Sequence, residues 1–437
     1  MIIMKFGGSS IGNSSRIRNI AQIIKSHFAD NPIIVLSAFQ GITDSLIDAA
    51  NSSASGKCSS KTEEIIEQHY KLIRELKLKP EIIDAEVKML RQQASQLDSG
   101  TKLNSQVLDN MMSFGERMSV RVVAAYLKSV GIDTKACDAY DIGFVTDSNF
   151  GSADILPGTY LNVRDKLSEA EAIPVISGFI GKDKAGNVTT LGRGGSDYTA
   201  SIIGAAMDVK EIQIWTNTDG IMTADPKIVH TAMNIQALSY EEEAELEALG
   251  ANTLNPRGIR PAIRKNIPVK ILNTFNPKHK GTLIHRNVKI KSRVASITYK
   301  KDINVINISA PKMTPEEGFI RKTLEQFAKH GIPVKMISAG KGSISVTVEE
   351  KYDIDIVVKA LGKIAKITVT RNMAQVSLVG NGLMHLPGIT ETLSSSLSSM
   401  GITIMSTSAS SINHSVVVKE KYLAEAVRLL HNTFFGR

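Results

Sequence analysis

The sequence predicts an α/β protein in which an open, mainly parallel sheet sandwiched by helices is followed by two small ferredoxin-like βαββαβ units. Three observations predict it. Short apolar runs recur through residues 1–285 with helical spacing between them, as expected for parallel strands buried on both faces. Glycine-rich stretches follow or precede several of these runs and lead into helix starts. Beyond residue 302 the strand and helix order runs once and then restarts, an internal repeat of about 65 residues.

The elements follow in order. Ile2 to Phe6 is strand-like and stops at Gly7-Gly8, and Ile33 to Ser37 is an apolar run after Pro32. Residues 61–97 and 104–128 carry helical spacing, with Val107, Leu108, Met111 and Met112 on one packing stripe. The polar stretch Asn51 to Ser60 reads as a loop. Ile173 to Ile176, Ile212 to Trp215 and Val269 to Leu272 are further strands, and Ser239-Tyr240-Glu241-Glu242 has the pattern of a helix capping box.

Residues 286–301 are charged and then extended, which marks a boundary after a first domain of residues 1–285. The first small unit, 302–371, has strands at 304–309, 334–338, 343–348 and 364–370, with helices at 316–329 and 352–361. The second, 372–437, has strands at 375–379, 402–406 and 413–418, with helices ending near Met400 and Phe434. It lacks a last strand, and a small sheet with a missing strand exposes an unpaired edge. The extended segment 293–299 can fill it, which would make the first unit an insertion into the second.

Composition narrows the function. Lys and Arg number 52 against 43 Asp and Glu, a net charge of +9. The bases are scattered and no aromatic-interleaved basic motif accompanies them, which argues against nucleic acid and leaves attraction of small anions as a use for the charge. Cys58 and Cys137 make no metal motif or disulfide framework, so a reducing, cytoplasmic setting is expected. No run reaches the roughly 18 apolar residues of a membrane span, and the N-terminus lacks the layout of a signal peptide.

Four motifs carry chemistry. Lys5-Phe6-Gly7-Gly8-Ser9-Ser10 runs from strand to glycine loop to helix, where backbone N–H groups and a helix start favour a phosphate. Alone it reads equally well as a tight turn. Thr189 to Ala200 contains a second glycine loop, with Arg193 suited to a bidentate grip on a carboxylate and Ser196-Asp197 opening a helix, where either can also serve as a cap. Trp215 to Lys227 leaves a strand for a long polar loop, a usual place for nucleotide contacts. Ser113-Phe114-Gly115-Glu116-Arg117 puts a glycine at a helical position, which costs about 1 kcal/mol relative to Ala and points to a close approach.

These motifs resemble the aspartate kinase family of the amino-acid kinase superfamily. Lys5 to Gly8, Ser37-Ala38 with Gly41-Ile42-Thr43, Phe114 to Arg117, Thr146-Asp147 with Phe150-Gly151, Gly178 to Gly181 and Leu191 to Ala200 all match it in order. Asp225-Pro226 and Gly281 to Ile284 match as well, and the paired tail resembles the family's two ACT domains. The resemblance implies ATP-dependent phosphorylation of the aspartate side-chain carboxylate, with ATP and Mg²⁺ as cofactors, on the route to lysine, threonine and methionine. Lys5 would neutralise the transferring phosphoryl group while Gly7, Gly8 and Ser9 cradle it. Arg193 would bind the α-carboxylate of L-aspartate, and Glu116 and Asp197 its ammonium. Ser37, Thr43, Phe179 and Ser196 would line the pocket. Thr216, Asp219, Met222, Lys227 and Asn252 would lie along the nucleotide.

The sequence also departs from the family pattern. Asn217, Met222 and Lys227 stand where aspartate, tyrosine and arginine are usual. In Leu249 to Pro256, Asn252 replaces a lysine and Asn255 a histidine, so the changes gather on the nucleotide side. In the tail, Ala339 and Thr407 stand where the effector loops usually carry glutamine, and the acidic residue is missing from both loops. Ala310-Pro311-Lys312-Met313 has lost a glycine turn that Gly380-Asn381-Gly382 keeps. The tail is therefore expected to serve chiefly homodimer or higher association, with weak feedback by an end-product amino acid. Two other readings stay open: a kinase for another acidic amino acid, and a catalytically weak amino-acid sensor.

Overall fold

The computed structural model describes residues 1–54, 60–97, 103–251, 253–286, 288, 293–310, 318–340 and 342–436. Asn252, Cys58, Lys341 and residues 311–317 therefore lie outside the described residues.

Apolar runs become strands where both faces are covered. The strands of the first unit are β1 (Ile2–Phe6), β2 (Pro32–Leu36), β3 (Thr134–Cys137), β4 (Val145–Thr146), β5 (Ile173–Ser177), β6 (Ile180–Asp183), β7 (Val188–Thr190), β8 (Ile212–Thr216), β9 (Ala237–Leu238), β10 (Val269–Asn273) and β11 (Thr282–Ile284). Eight of them form one sheet in the order β3-β5-β2-β1-β8-β10-β11-β9. Its pairs are parallel except β10 with β11. The central strand β1 pairs with β2 on one side and β8 on the other, with Lys5 opposite Val35 and Ile214. Strand order reverses there, and ligands of open α/β sheets collect at the carboxyl ends of strands at such a point. β4, β6 and β7 form a separate three-stranded sheet.

Phe6 and Trp215 stack at 5.9 Å between ring centroids, in a core that also holds Ile34, Leu36 and Met118. Truncating a buried phenylalanine such as Phe6 to Ala typically costs about 3–5 kcal/mol.

The expected helix over 61–97 is broken. Pro80, whose ring removes a backbone donor, opens a 3₁₀ turn, Pro80–Ile83, between helices Ser60–Glu75 and Asp84–Ser95. The loop expected from Asn51 is shorter at its start, since Ile42–Ala54 is one helix. Asn104 caps helix Ser105–Ser129 by accepting a hydrogen bond from Val107 N–H.

The second unit comprises residues 222–235, 241–253 and 289–437. Its strands are β12 (Ser296–Ser309), β13 (Ile337–Ala339), β14 (Ser343–Glu349), β15 (Lys366–Val379), β16 (Ser406–Ala409) and β17 (Asn413–Lys419), in the order β13-β14-β12-β15-β17-β16. Segments that read as four separate strands in the sequence are two 14-residue strands, β12 and β15. Ser296 to Lys300 pair with Val379 to Gln375, and Val305 to Ser309 pair with Thr370 to Lys366. The register shifts between Lys300 and Val305, beside Asp302 at φ 54° and across from Asn372 at φ 55°. Such bulges bend a strand without ending it.

Candidate active site

β1 ends at Phe6, and Gly8 starts the short helix Gly8–Ile11. A Cβ on Gly8 would lie 2.7 Å from the Ala38 carbonyl oxygen, so only glycine lets the two loops meet. Ser10 ties the start of this helix to the next strands through the Thr274 hydroxyl, at 2.7 Å, and the Trp215 carbonyl. Arg16 donates to the Ser9 carbonyl oxygen at 2.8 Å and to Gln40 Oε1.

The glycine at position 115 has a physical account. A Cβ there would meet the Ala38 Cβ at 2.8 Å. The approach brings Glu116 Oε1 within 3.0 Å of the Ala38 N–H, which donates to it. Glu116 is 3% exposed, and its Oε2 has no hydrogen-bond partner among the described residues. Burial pushes its carboxyl up to about 8, against the pull of the Ala38 N–H.

The glycine loop 192–195 leads into helix Gly195–Met207. Lys5 Nζ lies 2.5 Å from Asp197 Oδ1, both side chains being nearly buried. Ser37 Oγ donates to Ser196 Oγ at 3.0 Å. Phe179 holds φ 69°, a strained value for a bulky residue, and its N–H donates to the Thr199 hydroxyl at 3.1 Å. Arg193 is exposed and has no hydrogen bond or ion pair among the described residues.

One cavity of roughly 480 Å³ gathers Lys5, Ser37, Thr43, Glu116, Phe179, Arg193, Ser196 and Asp197 in its wall. Every acceptor-side residue expected from the sequence is therefore there, drawn from separate stretches of chain. Met112, which the sequence offered only as packing, is half-buried in the same wall, whereas Met111 is in the core.

The nucleotide-side residues are distributed differently. Gly7, Gly8 and Ser9 follow Lys5 after the buried Phe6. Thr216 ends β8, and Asp219 Oδ1 accepts from the amides of Asn273, at 2.8 Å, and Asn276. Met222 and Lys227 belong to the second unit. There the Met222 carbonyl accepts from Ser296 Oγ, and Lys227 N–H donates to Asp225 Oδ1. Asn255 is the cap of helix Pro256–Lys265 and accepts from Arg257 N–H.

Arg257 was not singled out in the sequence. Its guanidinium donates to Ser152 Oγ, the carbonyls of Leu191 and Ala153, and Asp154. Nothing local distinguishes it from the neighbouring Arg260 and Arg264.

Residues 1–273 match the Amino acid kinase family and residues 376–434 match an ACT domain. Aspartokinase 1, chloroplastic, of Arabidopsis thaliana is 36% identical over 99% of this chain and 80% of its own length. The chain belongs to the aspartokinase family. Lysine-sensitive aspartokinase 3 of Escherichia coli is 27% identical over 100% of the chain and 99% of its own length. Two crystal structures share the fold over the whole family chain. One is E. coli aspartokinase III in complex with aspartate and ADP, with a TM-score of 0.82, 25% identity and complete coverage of both chains. The other is Clostridium acetobutylicum aspartate kinase, with a TM-score of 0.86, 27% identity and coverage of 99% and 100%. The α/β fold with an antiparallel ACT region, expected from the sequence, is thus the fold of the family. Among the described residues no helix is long and apolar enough to cross a membrane.

Proposed function

We propose that this aspartokinase transfers the γ-phosphoryl group of ATP to the side-chain carboxylate of L-aspartate, giving 4-phospho-L-aspartate and ADP. The observation that carries the reading is the single cavity holding Lys5, Glu116, Arg193 and Asp197. It offers a guanidinium fork that has no partner among the described residues for one carboxylate, and a buried carboxylate with a spare oxygen for an ammonium. An α-amino acid supplies both groups.

The chemistry asks little of acid–base catalysis. The aspartate side chain ionises near pH 4 in water, so at neutral pH its oxygen is already a nucleophile. That oxygen forms a bond to the γ-phosphorus, the bond to the β,γ-bridging oxygen breaks, and no proton has to move. What the protein supplies is charge neutralisation and in-line positioning. Lys5 would exchange Asp197 for the phosphoryl oxygens. Gly7, Gly8 and Ser9 would present backbone N–H groups, and Ser37, Thr43, Phe179 and Ser196 would close around the amino acid. Thr216, which ends β8, and Asp219 in the loop after it would lie along the nucleotide.

Mg²⁺ would arrive on the triphosphate and neutralise its oxygens. An ion carried by phosphates needs only one or two protein carboxylates. Asp197, in the cavity wall, is the carboxylate that would hold it.

Residues 302–371 and 372–437 are read as two ACT domains, the second completed by strand 293–299. The ladder from Ser296 to Lys300 supports this. Association into at least a homodimer through them is part of the proposal. The deciding experiment measures ATP turnover with aspartate, glutamate, acetylglutamate or no acceptor, and traps the acyl phosphate with hydroxylamine. Aspartate-dependent turnover with a trapped hydroxamate is expected. Equal turnover with no acceptor, or preference for glutamate, overturns the assignment.

A further inference from the structure

Asp109 lies on the same helix as Glu116, seven residues and two turns earlier, hence on the same face. It is 0% exposed. Buried carboxylates are costly unless their lone pairs are filled, and here three donors fill them. Oδ2 accepts from Gly151 N–H at 2.9 Å and Thr190 N–H at 2.8 Å, and Oδ1 accepts from the Thr190 hydroxyl at 2.7 Å. Burial still leaves the Asp109 carboxyl above the usual carboxylate range.

Gly151 and Thr190 both line the cavity, and Thr190 is three residues before Arg193. One carboxylate therefore joins three pieces of the wall: the helix bearing Glu116, the loop at 150–154, and the strand end that feeds the glycine loop. Arg257 fastens the same two loops again through Ser152, Ala153 and Leu191.

We propose that Asp109 is a positioning residue that sets the spacing between Glu116 and Arg193 and thereby the grip on the amino-acid substrate. It stands behind the cavity wall and does not line the cavity itself. Its role rests on the aspartate kinase reading of the cavity. A two-point clamp for an ammonium and a carboxylate works only at one spacing, and misplacing a group by about 1 Å can cost on the order of 10²-fold in rate.

The chemistry of the contact gives a sharp test. Asn at this position can keep all three bonds, since its carbonyl oxygen can accept both backbone N–H groups and its amide N–H can donate to the Thr190 hydroxyl. Positioning therefore predicts that Asp109→Asn works and Asp109→Ala does not. In the full-length enzyme, Asp109→Ala should lower kcat/KM for aspartate by on the order of 10²-fold while the ATP dissociation constant changes less than about twofold. Asp109→Asn should stay near wild type. Thr190→Val, which keeps shape and loses one bond, should raise the aspartate KM by a few-fold and serves if the Ala variant does not fold. An Asn variant as impaired as Ala, equal loss of ATP and aspartate affinity, or an unchanged aspartate KM in both Asp109→Ala and Thr190→Val overturns the proposal.

Hydrogen exchange separates this proposal from the function itself. The Gly151 and Thr190 amides should exchange slowly in wild type and Asp109→Asn, and faster in Asp109→Ala and Thr190→Val. If wild type phosphorylates no aspartate, the functional reading fails, and these two amides still decide whether Asp109 holds the loops. Equal protection in all variants shows that it does not.

Discussion

The cavity of the first unit and the edge strands of the second are both places where an amino acid could be sought, and they differ in charge and burial. In the cavity, Glu116 is buried with an unpartnered oxygen, Lys5 and Asp197 face each other, and Arg193 is free of partners among the described residues. At the edges of the six-stranded sheet, β13 is exposed along its length, and the described residues 337–340 and 406–411 include no charged side chain. A zwitterion taken out of water needs both charges paired. The comparison teaches that charge and burial, more than strand and helix order, separate the cavity proposed for the amino acid from the described edge residues of the repeat.

The strongest way to break the comparison is to remove a cavity charge. Lys5→Ala should lower kcat by on the order of 10²–10³-fold, the usual cost of one preorganised charge contact at a transition state. Steady-state kinetics on folded variant decides it, and a wild-type kcat would remove Lys5 from the reaction.

Arg193→Ala comes next. It should raise the aspartate KM by about ten- to a hundredfold, the worth of roughly 1.5–3 kcal/mol for hydrogen bonds to a charged group, and leave nucleotide binding unchanged. Calorimetry with ADP provides the control. A parallel loss of nucleotide affinity would mean that the fork grips phosphate instead.

Glu116 gives the comparison a pH axis. Burial pushes its carboxyl up to about 8. Binding an ammonium favours the ionised form, so below that value the site must release a proton. Affinity for aspartate should rise by up to tenfold per pH unit from pH 6 and level off near 8, and Glu116→Gln should lose both the affinity and the pH dependence. Stability moves oppositely. A carboxyl that is raised in the folded state favours folding at low pH, and this advantage drains away as pH rises from its unfolded value through about 8. The Gln variant should therefore gain in Tm relative to wild type between pH 6 and pH 9. A constant difference in Tm would show that Glu116 does not carry the burial cost.

The smallest expected effect is in the second unit. Threonine, lysine or methionine at millimolar levels should leave activity nearly unchanged. Strong inhibition by any of them at sub-millimolar levels would show that main-chain contacts alone build an effector pocket there. E. coli aspartokinase III is known in complex with lysine and aspartate, which makes lysine the most demanding of the three tests.

Much of this was legible along the chain. β1, β2, β5, β8 and β10 announce themselves because parallel strands buried on both faces must be apolar throughout. β3, Thr134–Cys137, does not, since Thr-Lys-Ala-Cys has no apolar run and is a strand only because β5 pairs with it. The glycine loops at 7–8 and 192–195 were legible because close backbone approach demands glycine locally. The continuity of β12 and β15 was hidden by Lys300-Lys301-Asp302 and Arg371-Asn372, which look like breaks; the bulges there carry the ladder past them. Asn255 looked like a lost histidine, whereas in place it is a helix cap.

The sequence by itself determined the apolar strands β1, β2, β5, β8 and β10, the glycine loops and the identity of the charges, because each depends on a few consecutive residues. The tertiary structure alone decided which charges lose water. Glu116 and Asp109 are ordinary polar residues on an amphipathic helix until Ala38 closes over one and Gly151 and Thr190 over the other. Their burial, and with it the poise of the site, is set by residues up to 81 positions away, and no local pattern records such a contact.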